Sequence, residues 1–324
     1  MLSITHTRRR RLVVAVALAG ATVTTSVAEP AQAKQSETIV YTLPGEEVFA
    51  EGIAVAGDTF YVTGIGTETI YRGQLDEPAA EVLTTDPGLG GPGGIKVVGD
   101  RLLVARDGGG NVTLFDRTTG DVVGRWTNHI WPGATNINDI AIAPNGDVYL
   151  TDSDRPVLYR IPAAELQQPP SAEWRDLAVY LEWTDPPYSI YETGHLGANG
   201  IVATPDGKYL LVVHFSDGIL LRVRLSDRQV TQVNLGGYSL YSGDGMVITD
   251  SNILYVVRPA RTLVAKLRLD QSYRRGRLLS ETRDPTFHTP TTAAIAGDRL
   301  LVVNSQFGGA PSAPPWTVSS IPLP

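Results

Sequence analysis

Six stretches of this chain follow one pattern, and that pattern limits what the chain can become more than any other feature. "EGIAVAGDTFYVTG" is followed by "GGIKVVGDRLLVARD", "NDIAIAPNGDVYLTDS", "NGIVATPDGKYLLVVH", "DGMVITDSNILYVVRP" and "TTAAIAGDRLLVVNS". The copies begin at Glu51, Gly93, Asn138, Asn199, Asp244 and Thr291, with spacings of 42, 45, 61, 45 and 47 residues. In each, a short apolar run meets a turn, and a second run rich in Leu, Tyr and Val follows. The turns are Gly57-Asp58, Gly99-Asp100, Asn145-Gly146, Asp206-Gly207, Asp250-Ser251 and Gly297-Asp298. Such residues accept the backbone conformations of tight hairpins.

A third strand follows in most copies ("TIYRGQL", "NVTLFDR", "VLYRIPA", "ILLRVRL", "LVAKLRL"), and a fourth in several ("AEVLTT", "VVGRWT", "VTQVNL"). Four antiparallel strands in a repeat of about 45 residues make one blade of a propeller. The sequence therefore predicts an all-β fold over residues 34–324, a six-bladed β-propeller with four-stranded antiparallel blades. The last copy runs short after "WTVSSIPL". The N-terminal strand "TIVYTLP" (38–44) is expected to complete that blade, which removes a free sheet edge.

Ahead of the repeats stand four arginines (Arg8 to Arg11), an apolar run from Leu12 to Gly20 and small residues ending in "AQA". This reads as a secretory signal peptide over residues 1–33, with an apolar run too short to span a bilayer. The arginines leave a twin-arginine route open. The expected product is a soluble, secreted, extracellular monomer. Removing residues 1–33 takes four arginines and one glutamate from 27 basic and 34 acidic residues, leaving a net charge of −10. That balance argues against nucleic acid and anionic membrane surfaces as partners. The chain has no cysteine, which excludes a disulfide scaffold and thiol chemistry.

The innermost strand of each propeller blade lines the central channel. The heads of the six inner strands then form a ring at one mouth: Glu51, Gly93, Asn138, Asn199, Asp244 and Thr291. Two carboxylates about 4 Å apart repel by roughly 4 kcal/mol at an effective dielectric near 20, and a cation removes that penalty. The donors are all oxygens, which suits a hard ion such as Ca²⁺, or another divalent cation, rather than structural zinc. A single Asn or Asp beside Gly before a strand reads as a turn residue. Four oxygen-bearing residues at one repeat register do not.

The order Glu, Asn, Asn, Asp on blades one, three, four and five, with its "NGI" and "DGM" contexts, resembles a known group. This is the SMP-30/gluconolactonase/LRE-like family of calcium-dependent six-bladed propellers, which also takes in paraoxonases and diisopropylfluorophosphatase. The resemblance covers essentially all of residues 34–324. It implies that Glu51, Asn138, Asn199 and Asp244 hold a catalytic calcium ion, and that Asp244 is also the base or nucleophile. The sugar-lactone members carry an arginine two residues before the blade-three asparagine; here Asn136 stands there, which points away from a gluconolactone. Some phosphotriesterase-type members follow the blade-five aspartate with another metal-binding side chain, and here Gly245 follows.

Second strands run back toward the same mouth, so their ends (Arg106, Asp107, Thr151, Asp152, His214, Arg258, Asn304) are expected to line it. His195 and His288 lie in the linkers entering blades four and six, where an imidazole moves protons near neutral pH. Arg258 is placed to hold a carboxylate or oxyanion. With Asp244, these three form the candidate catalytic set. The long spacing between blades three and four contains "EWRDLAVYLEWTDPPYSIYETGHLG", and its part from Thr184 to Ala198 is expected as an aromatic lid beside Asn199. There is no G-x-S-x-G and no H-E-x-x-H, so serine-hydrolase and zincin chemistry lose their usual support. The expected function is a secreted calcium-dependent hydrolase of a lactone, ester or organophosphate-type small molecule. In that reading the metal polarises the substrate oxygen. The alternatives are a strictosidine-synthase-like lyase or cyclase, whose branch lacks the full metal ring, and a non-catalytic propeller that binds a ligand or protein around a structural calcium ion.

Overall fold

The sequence alternation that repeats six times folds as six antiparallel sheets. The computed structural model describes Leu2 and residues 37–86, 90–106, 108–183, 195–308 and 312–324. Met1–Gln35 and Ser36–Pro324 are separate units. The leader over residues 1–33 lies, apart from Leu2, outside the described residues, as does the lid segment 184–194.

The inner strands are Ala50–Ala56, Pro92–Val98, Ile137–Ile142, Ala198–Ala203, Met246–Ile248 and Pro290–Ala296. Each packs against the inner strand of the next blade, and the sixth packs against the first. The ring is therefore closed. Blades one to five run inner to outer in chain order. In blade six the order outward is Pro290–Ala296, Arg299–Asn304, Trp316–Pro322, then Ile39–Leu43 from the other end of the chain. Ile39 pairs with Ser320 and Leu43 with Trp316, antiparallel, so the sixth blade closes as the sequence predicts.

Second strands such as Tyr209–His214 are buried almost throughout because both faces of a blade are covered by neighbours. The core consequently lies between blades rather than within them. Ala54, Tyr61 and Ile70 of blade one pack on Ile95, Leu102, Val104 and Phe115 of blade two. The hairpin turns take the left-handed residue the sequence supplies, for example Gly57 at φ 61°, with Asn252 at φ 59° filling that role in blade five.

Blade two carries a fifth strand. Trp174–Asp176 pairs in parallel with Val122–Thr127, and Arg125 and Arg175 sit over Trp174 and Trp126 with centroid distances of 5.4 and 5.1 Å. The chain then crosses to Ala178–Glu182, the outer strand of blade three. Trp183 and Tyr180 are buried there, with Tyr180 edge-on to Tyr149 at 4.9 Å. The aromatic residues before Thr184 thus serve blade edges.

Candidate functional site

Five of the six inner strands carry a bulge at the same place. Ala50 pairs with Gly64 and Ile53 with Val62, so Glu51 and Gly52 together face one residue, Thr63. The same shift falls at 93–94, 138–139, 199–200 and 291–292. A bulge re-aims the side chain at its first position, and that position is the ring residue every time. Blade five arrives differently. Asp244 precedes the strand, donating its N–H to Val257 O at 2.9 Å, while Gly245 N–H donates to Thr291 O at 2.9 Å in blade six.

The bulges displace backbone groups from the ladder, and hydroxyls take them up. Thr63 Oγ1 accepts from Gly52 N–H (2.8 Å) and donates to Gly93 O (2.7 Å). Thr151 Oγ1 accepts from Asp139 N–H (3.1 Å) and donates to Asn199 O (2.6 Å). Thr291 Oγ1 donates to Glu51 O at 3.0 Å. The bonds to Gly93 O, Asn199 O and Glu51 O join neighbouring blades at the ring. The glycine after the ring residue has a reason too. A Cβ on Gly52 would fall on Gly93 O, one on Gly94 on Asn138 O, and one on Gly200 on Asp244 O. Only a residue without Cβ lets the blades approach this closely.

Glu51, Asn138, Asn199, Asp244 and Thr291 all line one cavity of about 690 Å³, together with Asn136, Leu196, Phe215, Pro259 and Phe307. Glu51 and Asp244 are only 8% and 7% exposed. The carboxamide oxygens of Asn138 and Asn199 are buried and accept no hydrogen bond. An oxygen left so is costly. Two of them beside two acidic residues form an all-oxygen donor set that fits a hard cation. Two backbones near the cavity are held in the left-handed region, Ser242 at φ 57° and Thr289 at φ 48°. Non-glycine residues so held mark sites where the surroundings impose the conformation.

The ends of the second strands do not follow the expectation; none is among the described lining residues of this cavity. Asp152 is fully buried and accepts from Thr135 Oγ1 (2.5 Å) and the N–H groups of Asn136 (2.9 Å) and Asp154 (3.1 Å). Asn304 donates to Thr317 and Ser319 hydroxyls, both at 2.9 Å. Backbone and hydroxyl partners thus use up these polar ends, and the following residues, Phe215 and Pro259, reach the cavity instead. Asp107 lies outside the described residues.

Of the candidate catalytic set, Asp244 alone lines the cavity. Arg258 is buried in a separate cleft, donating to Tyr238 Oη (2.8 Å) and Tyr241 O (3.1 Å), with Glu281 Oε1 at 3.5 Å. Burial pushes the Tyr238 phenol up to about 12, aided by its bond to Glu281. His288 is exposed, while its neighbour Thr289 lines the cavity. His195 stands behind Leu196, its Nε2 at 3.2 Å from Asp217 Oδ1, and His214 Nδ1 is 3.3 Å from Asp217 Oδ2. Burial pushes the His214 imidazole below its ordinary pKa; Asp217 opposes this and His195 adds to it. Asp217 carries no signal in the sequence beyond that of a turn residue.

No family profile and no curated protein matches the sequence. Solved structures do. A calcium-binding protein, regucalcin, from Agrobacterium tumefaciens is 17% identical, with 85% of this chain and 90% of that one covered and a TM-score of 0.62. A gluconolactonase from Xanthomonas campestris is 17% identical, covering 90% and 91%, at a TM-score of 0.60. A virginiamycin B lyase from Staphylococcus aureus is 10% identical, covering 89% and 99%, also at 0.60. The likeness is one of fold. It includes the propeller group that the ring order resembles, and both hydrolytic and lyase activities stand among the neighbours' names.

Proposed function

We propose that this chain is an exported, calcium-dependent hydrolase of a lactone, ester or organophosphate-type small molecule. One observation carries the reading: the Asn138 and Asn199 carboxamide oxygens are buried without a donor at a cavity shared with Glu51 and Asp244. A buried acceptor left unsatisfied costs about 1–3 kcal/mol, and a divalent cation satisfies both at once. A calcium-binding neighbour and a gluconolactonase neighbour support the reading at the level of fold.

Glu51, Asn138, Asn199 and Asp244 would hold the ion, which when bound supplies a Lewis acid for a carbonyl or phosphoryl oxygen. Asp244 is the residue for the chemical step. Its carboxylate accepts a proton from water or attacks the substrate directly. Leu196, Phe215, Pro259 and Phe307 wall the rest of the cavity, taking the organic body of the substrate and excluding water. No lysine or arginine is among the described lining residues, which favours an uncharged substrate. The cavity volume lies in the range of small-molecule sites.

The test is turnover of a panel of lactones, aryl esters and aryl phosphotriesters by metal-stripped and calcium-restored protein. Activity lost on stripping and regained with calcium supports the reading. Absence of turnover by calcium-loaded protein leaves a binding propeller and sinks the hydrolase. A lyase, named among the fold neighbours, is separated by running the reaction in ¹⁸O-water, since only hydrolysis puts solvent oxygen in the product. Export is checked by intact mass, with the secreted chain expected to begin near Lys34.

A further inference from the structure

We propose that His195, His214 and Asp217 form a second metal site on blade four, for zinc or a similar late first-row divalent ion. The three residues come from different parts of the blade. His214 ends the second strand opposite Ala198, His195 lies in the linker entering the inner strand, and Asp217 sits in the turn to the third strand. Backbone bonds hold linker and turn together: Phe215 N–H to Gly197 O at 2.9 Å, Ser216 N–H to Leu196 O at 3.1 Å, and Gly218 N–H to His214 O at 2.9 Å. The site is built before any ion arrives.

One ligand atom from each residue lies within 4.8 Å of the other two. The His195 Nε2–Asp217 Oδ1 and His214 Nδ1–Asp217 Oδ2 distances are 3.2 and 3.3 Å. Donors bound tetrahedrally at about 2.0–2.1 Å stand roughly 3.3 Å from each other, and each imidazole already stands at that distance from one oxygen of the Asp217 carboxylate, His195 from Oδ1 and His214 from Oδ2. The 3.2 Å approach of His195 to Asp217 lacks the direction of a hydrogen bond, which an ordinary His–Asp pair would have. His214 is wholly buried.

The donor set is two imidazoles and one carboxylate, which selects borderline ions such as zinc over calcium. The calcium ring has only oxygens, so the two sites sort different metals. Three protein donors with a position left open are the pattern of a reactive rather than a purely structural zinc. Asp217 also lines a surface cleft of about 490 Å³ with Gly218, Asn234, Tyr238 and Ser239, which gives water or a ligand a route to that position. Leu196 and Phe215, next in sequence to the two histidines, wall the calcium-ring cavity. Zinc bound here therefore fixes that wall from behind.

The experiment uses the intact secreted protein, dialysed against chelator and titrated with Co²⁺ while visible absorption is followed. The expected result is one Co²⁺ per chain with the intense bands of four- or five-coordination, displaced by Zn²⁺. His195→Gln and Asp217→Asn should each weaken binding about tenfold or more, while Asp244→Asn leaves it within about twofold. Both first-named side chains are only partly buried, at 29% and 31% exposure, so the thermal midpoint of the metal-free variants should match that of the parent. No band in the parent, unchanged affinity in both variants, or loss of the band in Asp244→Asn would each overturn the proposal. None of these outcomes touches the calcium-dependent turnover assay, so the two readings fail separately.

Discussion

Asp244 differs from the other aspartates beside glycine in where the fold places it. Asp206, in the "TPDGK" turn, is occupied by Thr204 Oγ1 at 2.7 Å and Lys208 N–H at 3.2 Å. Asp244 lines the ring cavity. Asp244→Asn keeps shape and one oxygen but removes charge and basicity. Turnover of the best panel substrate at saturating calcium should fall by about 10²–10⁴-fold, while Asp206→Asn should leave it nearly unchanged. Equal rates for the two variants would reduce Asp244 to a turn residue. Glu51→Gln removes one of the two ring carboxylates. Calorimetry should show calcium affinity reduced about tenfold or more, with the blades intact because their cores are apolar. The ring residues were legible in the sequence because the repeat presents the same position six times. Asp217 was not, since a lone Asp looks like any turn residue; Thr63 carried no signal of its own, and Thr151 was read as lining the mouth rather than as the bridge between blades that it forms.

At the level of strands, bulge and glycine work as a pair. In blades one and four the bulge turns a side chain to the axis, and the glycine at its second position, like Gly94 in blade two, lets the next blade's carbonyl come close; Asp139 and Thr292 hold that place in blades three and six. Gly200→Ala puts a methyl group onto Asp244 O, a backbone atom that cannot move aside cheaply. The expected cost is about 1–3 kcal/mol of stability, read as a lower denaturant midpoint, together with weakened calcium binding. Thr63→Val tests the other half of the device. It leaves Gly52 N–H and Gly93 O without the hydroxyl between them and should cost about 1–3 kcal/mol with an unchanged denaturant slope; a neutral result would show that the blades do not depend on that bridge. Strand positions were readable from alternation and turn residues, but the bulges were not, because a slip of one residue leaves the apolar pattern almost intact. Trp174–Asp176 was equally hidden. Three residues pairing in parallel on an outer edge carry no periodicity.

For the molecule as a whole, the candidate ligands come from four different blades, so bound calcium should resist any opening of the ring. At a calcium concentration about a hundredfold above Kd, linkage adds about 2.7 kcal/mol. The thermal midpoint should rise by roughly 5 °C over the chelator-treated protein, and Glu51→Gln should lose most of that rise. An unchanged midpoint would mean that calcium is not bound by the folded ring. The pairing of Ile39 with Ser320 also has a consequence in time. Ile39–Leu43 must wait for Trp316–Pro322 to be synthesised, an interval of roughly 15–60 s at about 5–20 residues per second. Through that interval five blades can assemble, but the sixth remains a bare edge and its completing strand a loose tail. A tail of one chain can then serve the edge of another, since the pairing is the same within a chain as between two. Crowding of the maturing chains would therefore favour exchanged pairs over closed single rings.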